Sequence, residues 1–214
     1  MSALSSSVPT PPRSSSPPRV ATPQDADLVT RVLVEAFRND PMWGAWAFPS
    51  ARSRDSNRQA VFRTFVEGAL RYPATWLAPE NAAVTMWIPP GGTDLTSEQE
   101  EHLERVLRDR LGAERADRIV QSLDRLVAME PTEPHYYLSL FGTHPAFAGH
   151  KHGQALLAHN LNKIDKEGAA AYLDCADDLV PLYSRFGFRS IGSILLTDGL
   201  RSNGMWRPPP SSSG

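Results

Sequence analysis

Apolar residues recur every three or four positions in four segments of the chain, which predicts four amphipathic helices. The first begins at Thr22-Pro23-Gln24-Asp25, where a capping threonine, a proline and an acidic residue form a helix start. Its apolar stripe comprises Leu28, Val29, Val32, Leu33, Ala36 and Phe37. The others are predicted near 58–71, from a cap at Thr96 or Ser97, and near 113–129.

Short β-rich runs lie between and after these helices. Residues 19–21 form a possible first strand, and 75–78 and 83–88 read as a hairpin joined at Pro79-Glu80-Asn81. From His135 onward, the pattern is strand, glycine-bounded loop, helix, strand, short helix, then strands near 188–196 and 204–207. This order predicts an α/β (α+β) single domain with a mixed, mainly antiparallel sheet flanked by helices and one parallel crossover.

The two ends of the chain have a different composition. Residues 1–18 are rich in Ser and Pro and poor in large apolar side chains, as are residues 208–214. Such segments bury too little surface to offset their ordering entropy, so we expect both to be disordered. The folded unit is therefore predicted to span 19–207.

Composition excludes several classes of protein. A formal net charge of −2 and a pI near 6.3 disfavour nucleic-acid binding. The single cysteine, Cys175, rules out an internal disulfide, and the six histidines show no metal-ligand spacing, so no metal is expected. No apolar run has the length of a membrane span or the form of a signal peptide, and the expected location is cytoplasmic, with no membrane partner.

The turn from Ala148 to Gly153 carries a candidate site. A glycine-rich turn that opens a helix presents backbone N–H groups and the helix dipole to a phosphate, and His150, Lys151 and His152 add positive charge. The alternative is a plain strand-to-helix turn with solvated basic side chains, which the spacing alone slightly favours.

Sequence motifs on both sides of this turn resemble the GCN5-related N-acetyltransferase (GNAT) superfamily. The segment His135-Tyr136-Tyr137-Leu138 resembles the aromatic start of the family's fourth strand, and Pro181-Leu182-Tyr183-Ser184-Arg185-Phe186-Gly187-Phe188 is close to its Pro-Phe-Tyr-x-x-x-Gly-Phe. The resemblance covers roughly 19–207. At the family's Gln/Arg-x-x-Gly-x-Gly/Ala loop, Gly153 matches, but Ala148 and Lys151 replace the leading residue and the central glycine.

The resemblance implies acetyl-CoA as cosubstrate and a set of residues that bind it. Pantetheine would pair with the end of the fourth strand, and pyrophosphate would sit on the loop and the helix start. The implied residues are Leu140, Phe141, Gly142, Thr143, Gly149, His150, Lys151, His152, Gly153, Gln154 and Ala155. The Cβ of Lys151 either crowds the pyrophosphate or is compensated by the charge of its side chain.

Tyr183 is the catalytic acid that the resemblance implies, donating a proton to the CoA thiolate. The alternative is that it only packs with Phe186 and Phe188. No general base stands out: His135 is the preferred candidate because it begins the strand that flanks the cleft, while Glu133, Glu35, Asp40 and water-mediated deprotonation stay open.

The segment Glu35–Pro41 resembles the acceptor-side helix of small-molecule acetyltransferases related to puromycin N-acetyltransferase. It assigns Phe37, Asp40 and the nearby Trp43 to the acceptor site, although aromatic residues after a helix are more often core. The expected activity is acetyl transfer to an amine of a small molecule, by a monomer or homodimer. The alternatives are a GNAT-fold enzyme with another acyl donor or reaction, and a non-catalytic binding protein.

The composition of the N-terminal segment gives a first prediction. Deleting residues 2–18 should leave the melting temperature unchanged, because this segment has few apolar groups to pack on the domain. Thermal unfolding of the truncated and full-length chains checks this, and a drop of several degrees would show that the segment is part of the fold.

Overall fold

The computed structural model describes residues 16–210. The predicted disorder of residues 1–15 and 211–214 therefore lies outside the described residues. Within 16–210 the helices are α1 Ala26–Ala36, α2 Arg54–Ala69, α3 Ser97–Leu111, α4 Ala113–Met129, α5 His152–Lys166 and α6 Val180–Ser184. The strands are β1 Arg19–Val20, β2 Thr75–Leu77, β3 Ala83–Ile88, β4 His135–Thr143, β5 Ala170–Cys175, β6 Arg189–Leu195 and β7 Arg201–Arg207.

The strands form one sheet in the order β1-β2-β3-β4-β5-β7-β6. Every described neighbouring pair is antiparallel except β4 and β5, which are parallel and joined through α5. This confirms the mainly antiparallel sheet with one parallel crossover. The two faces carry separate cores: α1 to α4 cover one face, and α5 and α6 cover the other.

Local signals account for most helix boundaries. Thr96 and Gln99 form a reciprocal capping box at the start of α3, with Gln99 N donating to Thr96 Oγ1 at 3.2 Å and Thr96 N to Gln99 Oε1 at 3.0 Å. Helix α2 instead begins at Arg54, four residues before the predicted start. The polar turn that precedes its apolar stripe is helical because it places Arg58 inside the protein.

Arg58 is a fully buried cation that fastens the connection between α1 and α2. Its guanidinium donates to the carbonyl oxygens of Trp43 at 2.9 Å and Val34 at 3.0 Å, and more weakly to that of Arg38 at 3.4 Å. Asp55 lies 3.2 Å away and supplies the opposite charge. These contacts fix the path of the chain from the end of α1 to the start of α2.

Replacing Arg58 with methionine should lower the free energy of unfolding by about 2–4 kcal/mol, because the buried carbonyls lose their donors. Arg63→Met on the same helix is the matched control, since Arg63 is 39% exposed and pairs with Asp27 and Glu67 on the surface. We expect the control to change stability by less than about 1 kcal/mol. Equal effects in urea denaturation would contradict this role for Arg58.

Candidate active site

The central feature of the site is the separation of strands β4 and β5. Their parallel register pairs His135 with Ala170, Tyr136 with Ala171 and Tyr137 with Tyr172, and the described pairing ends there. On its other side, β4 stays paired with β3 up to Thr143, with a shift of one residue that leaves Ser139 as a bulge. The bulge bends β4 away from β5, so the two strands diverge beyond Leu138 and open a cleft in the middle of the sheet.

The four residues predicted to bind pantetheine lie on the β4 side of this cleft. Leu140 is buried in the core beneath α1 and α2, and Phe141 points to the opposite face. A Cβ on Gly142 would come within 2.6 Å of the Ala36 side chain, so this glycine lets α1 pack closely on β4. The strand edge of 140–143 therefore faces the cleft while its side chains hold the surrounding helices.

The loop before α5 has the backbone geometry of an anion site. Lys151 precedes the helix with φ +61°, in the left-handed region, and no side chain caps the helix start. Gly149 also has a positive φ, +79°, and the space around its Cα is open. The first N–H groups of an α-helix have no intrahelical partner, so those of His152, Gly153 and Gln154 are oriented toward an incoming ligand.

Gly153 has a packing role that the sequence did not reveal. A Cβ there would lie 2.2 Å from Thr143 Oγ1 and 3.0 Å from the Phe141 ring. The glycine therefore allows the first turn of α5 to rest against the end of β4. This close approach brings the uncapped helix start next to the edge of the cleft. Ala155, also predicted to bind the cofactor, is exposed one turn into α5.

Tyr183 lies on the α5 face of the sheet, 6% exposed. Its ring makes edge contacts with Phe141 and Phe188, with centroid distances of 6.4 and 6.0 Å. Burial raises the pKa of Tyr183, and the neighbouring Cys175 and Asp174 add to the effect. The phenol is thus protonated throughout the accessible pH range, and its contact with Phe141 places it beside the β4 edge.

His135 occupies the opposite end of β4, where that strand is still paired with β5. Its Nδ1 lies 2.6 Å from the carbonyl oxygen of Glu133 and its Nε2 lies 3.2 Å from Glu130 Oε1. Burial opposes ionisation, but these two neighbours raise the pKa of His135. The structure does not bring His135 together with Tyr183, and both of its nitrogens face acceptors, which disfavours a role as general base.

The three residues predicted on the acceptor side pack within the protein. The Phe37 ring contacts Phe62 at 5.3 Å. Asp40 accepts hydrogen bonds from the backbone N–H groups of Met42 and Trp43, at 2.9 and 2.7 Å, while burial raises its pKa. Trp43 is 7% exposed and stacks among aromatic residues of α2. These side chains shape the wall of the acceptor side from within.

Sequence analysis missed a group of polar residues on the α1–α4 face of the cleft. Asp174 of β5 accepts a hydrogen bond from Tyr137 Oη at 2.9 Å, and burial raises the pKa of its carboxyl group. Asp94, in the loop before α3, has a pKa raised by burial to about 7. One signal was available: Asp174 is a charged residue within an otherwise apolar strand, which is unusual for a buried position.

Other features of the described residues carry no chemistry of their own. Cys175 is buried, and burial raises the pKa of its thiol to about 12, so it is a poor nucleophile. Within residues 16–210, no group of three or more His, Cys, Asp or Glu side chains is arranged to hold a metal ion. In the same range, no helix combines the length and apolarity required to cross a membrane.

Comparisons with known proteins agree with this architecture. An acetyltransferase from Corynebacterium glutamicum, described as histone acetyltransferase HPA2 and related acetyltransferase, is 25% identical, with a TM-score of 0.67 over 92% of this chain and 98% of that chain. An N-acetyltransferase from Staphylococcus aureus is 16% identical, with a TM-score of 0.54 and coverage of 89% and 100%. The polyamine N-acetyltransferase of Drosophila melanogaster, which forms N-acetylagmatine, is 16% identical, with a TM-score of 0.52 and coverage of 88% and 97%.

The family comparison identifies the segment that holds the cleft. The model of the acetyltransferase (GNAT) domain matches residues 94–206, more than half of the chain. This range runs from Asp94 through β4, the loop before α5, α6 and most of β7. The chain therefore belongs to the GNAT acetyltransferase family.

Proposed function

We propose that this protein transfers an acetyl group from acetyl-CoA to the amine of a small molecule. The observation that carries the proposal is the conjunction of a free β4 edge with an uncapped α5 start, held together by the contact of Gly153 with Thr143. A strand edge suits the amide groups of pantetheine, and a helix start suits pyrophosphate. The two sites lie in succession along the chain, as one extended ligand requires.

The loop residues fit a phosphate group despite their departure from the family pattern. Lys151 adopts the left-handed conformation that usually requires glycine, so the backbone follows the path that a glycine would give. Its side chain is exposed and free to reach a phosphate oxygen. The open space at Gly149 leaves room for the ligand. The charge of Lys151 therefore replaces, rather than obstructs, a glycine contact.

In the proposed reaction the neutral amine attacks the thioester carbonyl carbon, the carbon–sulfur bond breaks and the thiolate leaves. A backbone N–H at the β4 edge polarises the carbonyl oxygen. Tyr183 stands on the other face of this strand and donates a hydrogen bond to the thiolate. Because a thiol has a pKa near 8.5 and burial raises that of Tyr183, full proton transfer is uphill, and the hydrogen bond is the stabilising contribution.

The role of Lys151 is tested by charge reversal. Lys151→Glu should weaken CoA binding by about 10- to 100-fold, the equivalent of one charge-assisted hydrogen bond. Calorimetry at low salt measures this. Lys166→Glu is the matched control, since Lys166 is exposed at the other end of the same helix and should leave the affinity unchanged.

Lys151→Gly separates the charge of this residue from its backbone conformation. The variant should keep the loop and gain up to about 1 kcal/mol of stability, because the left-handed strain disappears while some backbone entropy is lost. Its CoA affinity should fall with the charge. An absence of heat for the wild type at millimolar CoA would contradict the proposed donor. CoA binding without acetyl transfer to any amine would favour another acyl donor.

Tyr183→Phe should lower kcat by about 10- to 100-fold, the value of a hydrogen bond to a charged group. The ring and its packing stay, so the affinity for CoA and the melting temperature should change little. Tyr136→Phe is the matched control, because it removes a hydroxyl that binds Glu167 at the distal end of β4. The raised pKa of Tyr183 also predicts that kcat of the wild type has no alkaline limb from this group up to about pH 10. Full activity of Tyr183→Phe would assign the tyrosine to the core alone.

A further inference from the structure

The α1–α4 face of the cleft contains a chamber lined by acidic and hydroxyl groups. We define the acidic chamber by Asp94, Glu130, Tyr137, Tyr172 and Asp174. Asp174 and Tyr172 belong to β5, Tyr137 to β4, and Asp94 and Glu130 to the segments that flank α3 and α4. It lies where β4 and β5 part, since Tyr137 and Tyr172 are the last paired residues.

The carboxylates of the chamber are close enough to act on one another. The charges of Asp174 and Glu130 both raise the pKa of Asp94, to about 7, after the larger effect of burial. The charge of Glu130 likewise raises the pKa of Asp174. Three acidic groups in one partly buried space repel each other, which is unfavourable unless a cation joins them.

No cationic side chain neutralises Asp94 or Asp174 within the described residues. The side chain of Asp174 contacts neutral hydroxyls, Tyr137 Oη at 2.9 Å and Ser202 Oγ at 3.4 Å. Arg71 is near Asp94, but its guanidinium donates to backbone carbonyl oxygens, including that of Asp94 at 3.2 Å. The Oδ1 atom of Asp94 is buried and has no hydrogen-bond partner.

A second, independent observation points to a ligand in this chamber. Tyr172 is 1% exposed, and its buried hydroxyl has no hydrogen-bond partner in the described chain. The hydroxyl lies beside Gly204, where a Cβ would be only 3.1 Å away, so the glycine keeps the space in front of it clear. The charges of Asp174 and Glu130 raise the pKa of this tyrosine, which places its hydroxyl toward both acids. A buried hydroxyl left unsatisfied is unfavourable and marks a place for a polar ligand group.

We propose that Asp94 and Asp174 form the receptor for a positively charged amino group of the acceptor, with the Tyr172 hydroxyl as an additional hydrogen-bond acceptor. This inference rests on the proposed acetyl transfer and specifies its substrate class. The chamber selects alkylamines and polyamines whose amine-bearing carbon carries no carboxylate. An α-amino acid would place its own carboxylate against three acids and be repelled.

The chamber also connects to the proposed catalytic tyrosine. Asp174 acts electrostatically on both Asp94 and Tyr183, which lie on opposite faces of the sheet. It is therefore the group of the chamber that stands nearest to the acyl-transfer point. An ammonium group held by Asp174 would be adjacent to the β4 edge.

Cadaverine and free lysine form a matched pair of probes, because they differ only by the α-carboxylate. Cadaverine should raise the melting temperature of the wild type at about pH 8, and lysine should not, since only the first is free of charge repulsion. The effect should shrink at about pH 5, where Asp94 is protonated and Asp174, Glu130 and Arg71 are the other charged groups facing it. An equal or larger shift with lysine overturns the proposal.

Asp174→Asn keeps the shape of the side chain and an acceptor for Tyr137, and Asp94→Asn removes the other charge. Each variant should lose the cadaverine-induced shift and lower kcat/KM for cadaverine by at least about tenfold, the value of one charge-assisted contact. Asp124→Asn, on the exposed outer side of α4, is the matched control and should behave as the wild type. If both chamber variants retain the shift, the receptor lies elsewhere.

A stability measurement separates a folding role from a ligand-binding role. Burial raises the pKa of Asp94, so the folded state binds more protons than the unfolded state below about pH 7, and stability should fall as pH rises from about 4 to 7. Asp94→Asn should therefore have a higher melting temperature than the wild type at about pH 8 and a similar one at about pH 4. A lower melting temperature at both values would assign Asp94 to the fold and overturn the proposal.

The proposed function and the receptor fail in different ways. If acetyl-CoA gives no heat in calorimetry, the acetyl transfer falls, while the cadaverine shift still reports on the chamber. If acetyl-CoA binds but neither cadaverine nor other alkylamines shift the melting temperature or are acetylated, the receptor is overturned and cofactor binding stands.

Discussion

The divergence of β4 from β5 is the constraint on which the site depends. The two strands cannot stay paired because the bulge at Ser139 adds a residue to β4 on its β3 side. Beyond Tyr137 and Tyr172, each strand offers a backbone edge that the sheet does not satisfy. Unpaired backbone groups inside a protein are unfavourable, so the fold keeps them only where a ligand can use them. Glycines at 142 and 153 then let α1 and α5 close tightly around the opening.

The two faces of this opening have opposite character. On the α5 face, Tyr183 and Phe141 form an aromatic wall with little polar content. On the other face, Asp94 and Asp174 are buried with raised pKa values and no neutralising cation in the described chain. Charge that is buried without a partner lowers stability, and proteins keep such arrangements chiefly where function needs them. An acceptor amine that enters from the acidic face would meet an acyl donor held along the strand edge.

The loop before α5 shows that backbone conformation outranks residue identity. The family pattern has glycine where this chain has Lys151, and the sequence left open whether its Cβ would obstruct the ligand. The structure gives Lys151 a φ of +61°, the conformation that glycine adopts most readily. Left-handed lysine is strained by about 1–2 kcal/mol, so the surrounding loop must impose it. Retaining the conformation preserves the direction of the N–H groups at the start of α5.

The sequence by itself determined the elements and their order, because apolar periodicity, caps and turn residues act over a few positions. It predicted α4 at Ala113–Met129 and the single parallel crossover, and its motifs identified the family. It did not reveal the acidic chamber, because Asp94 and Asp174 are 80 positions apart in the printed sequence and neither has a motif. Nor did it show that His135 and Tyr183 lie apart, although both flank the same strand pair. Only the tertiary structure decides which side chains share a low-dielectric space, since burial and long-range charge depend on the folded path of the whole chain.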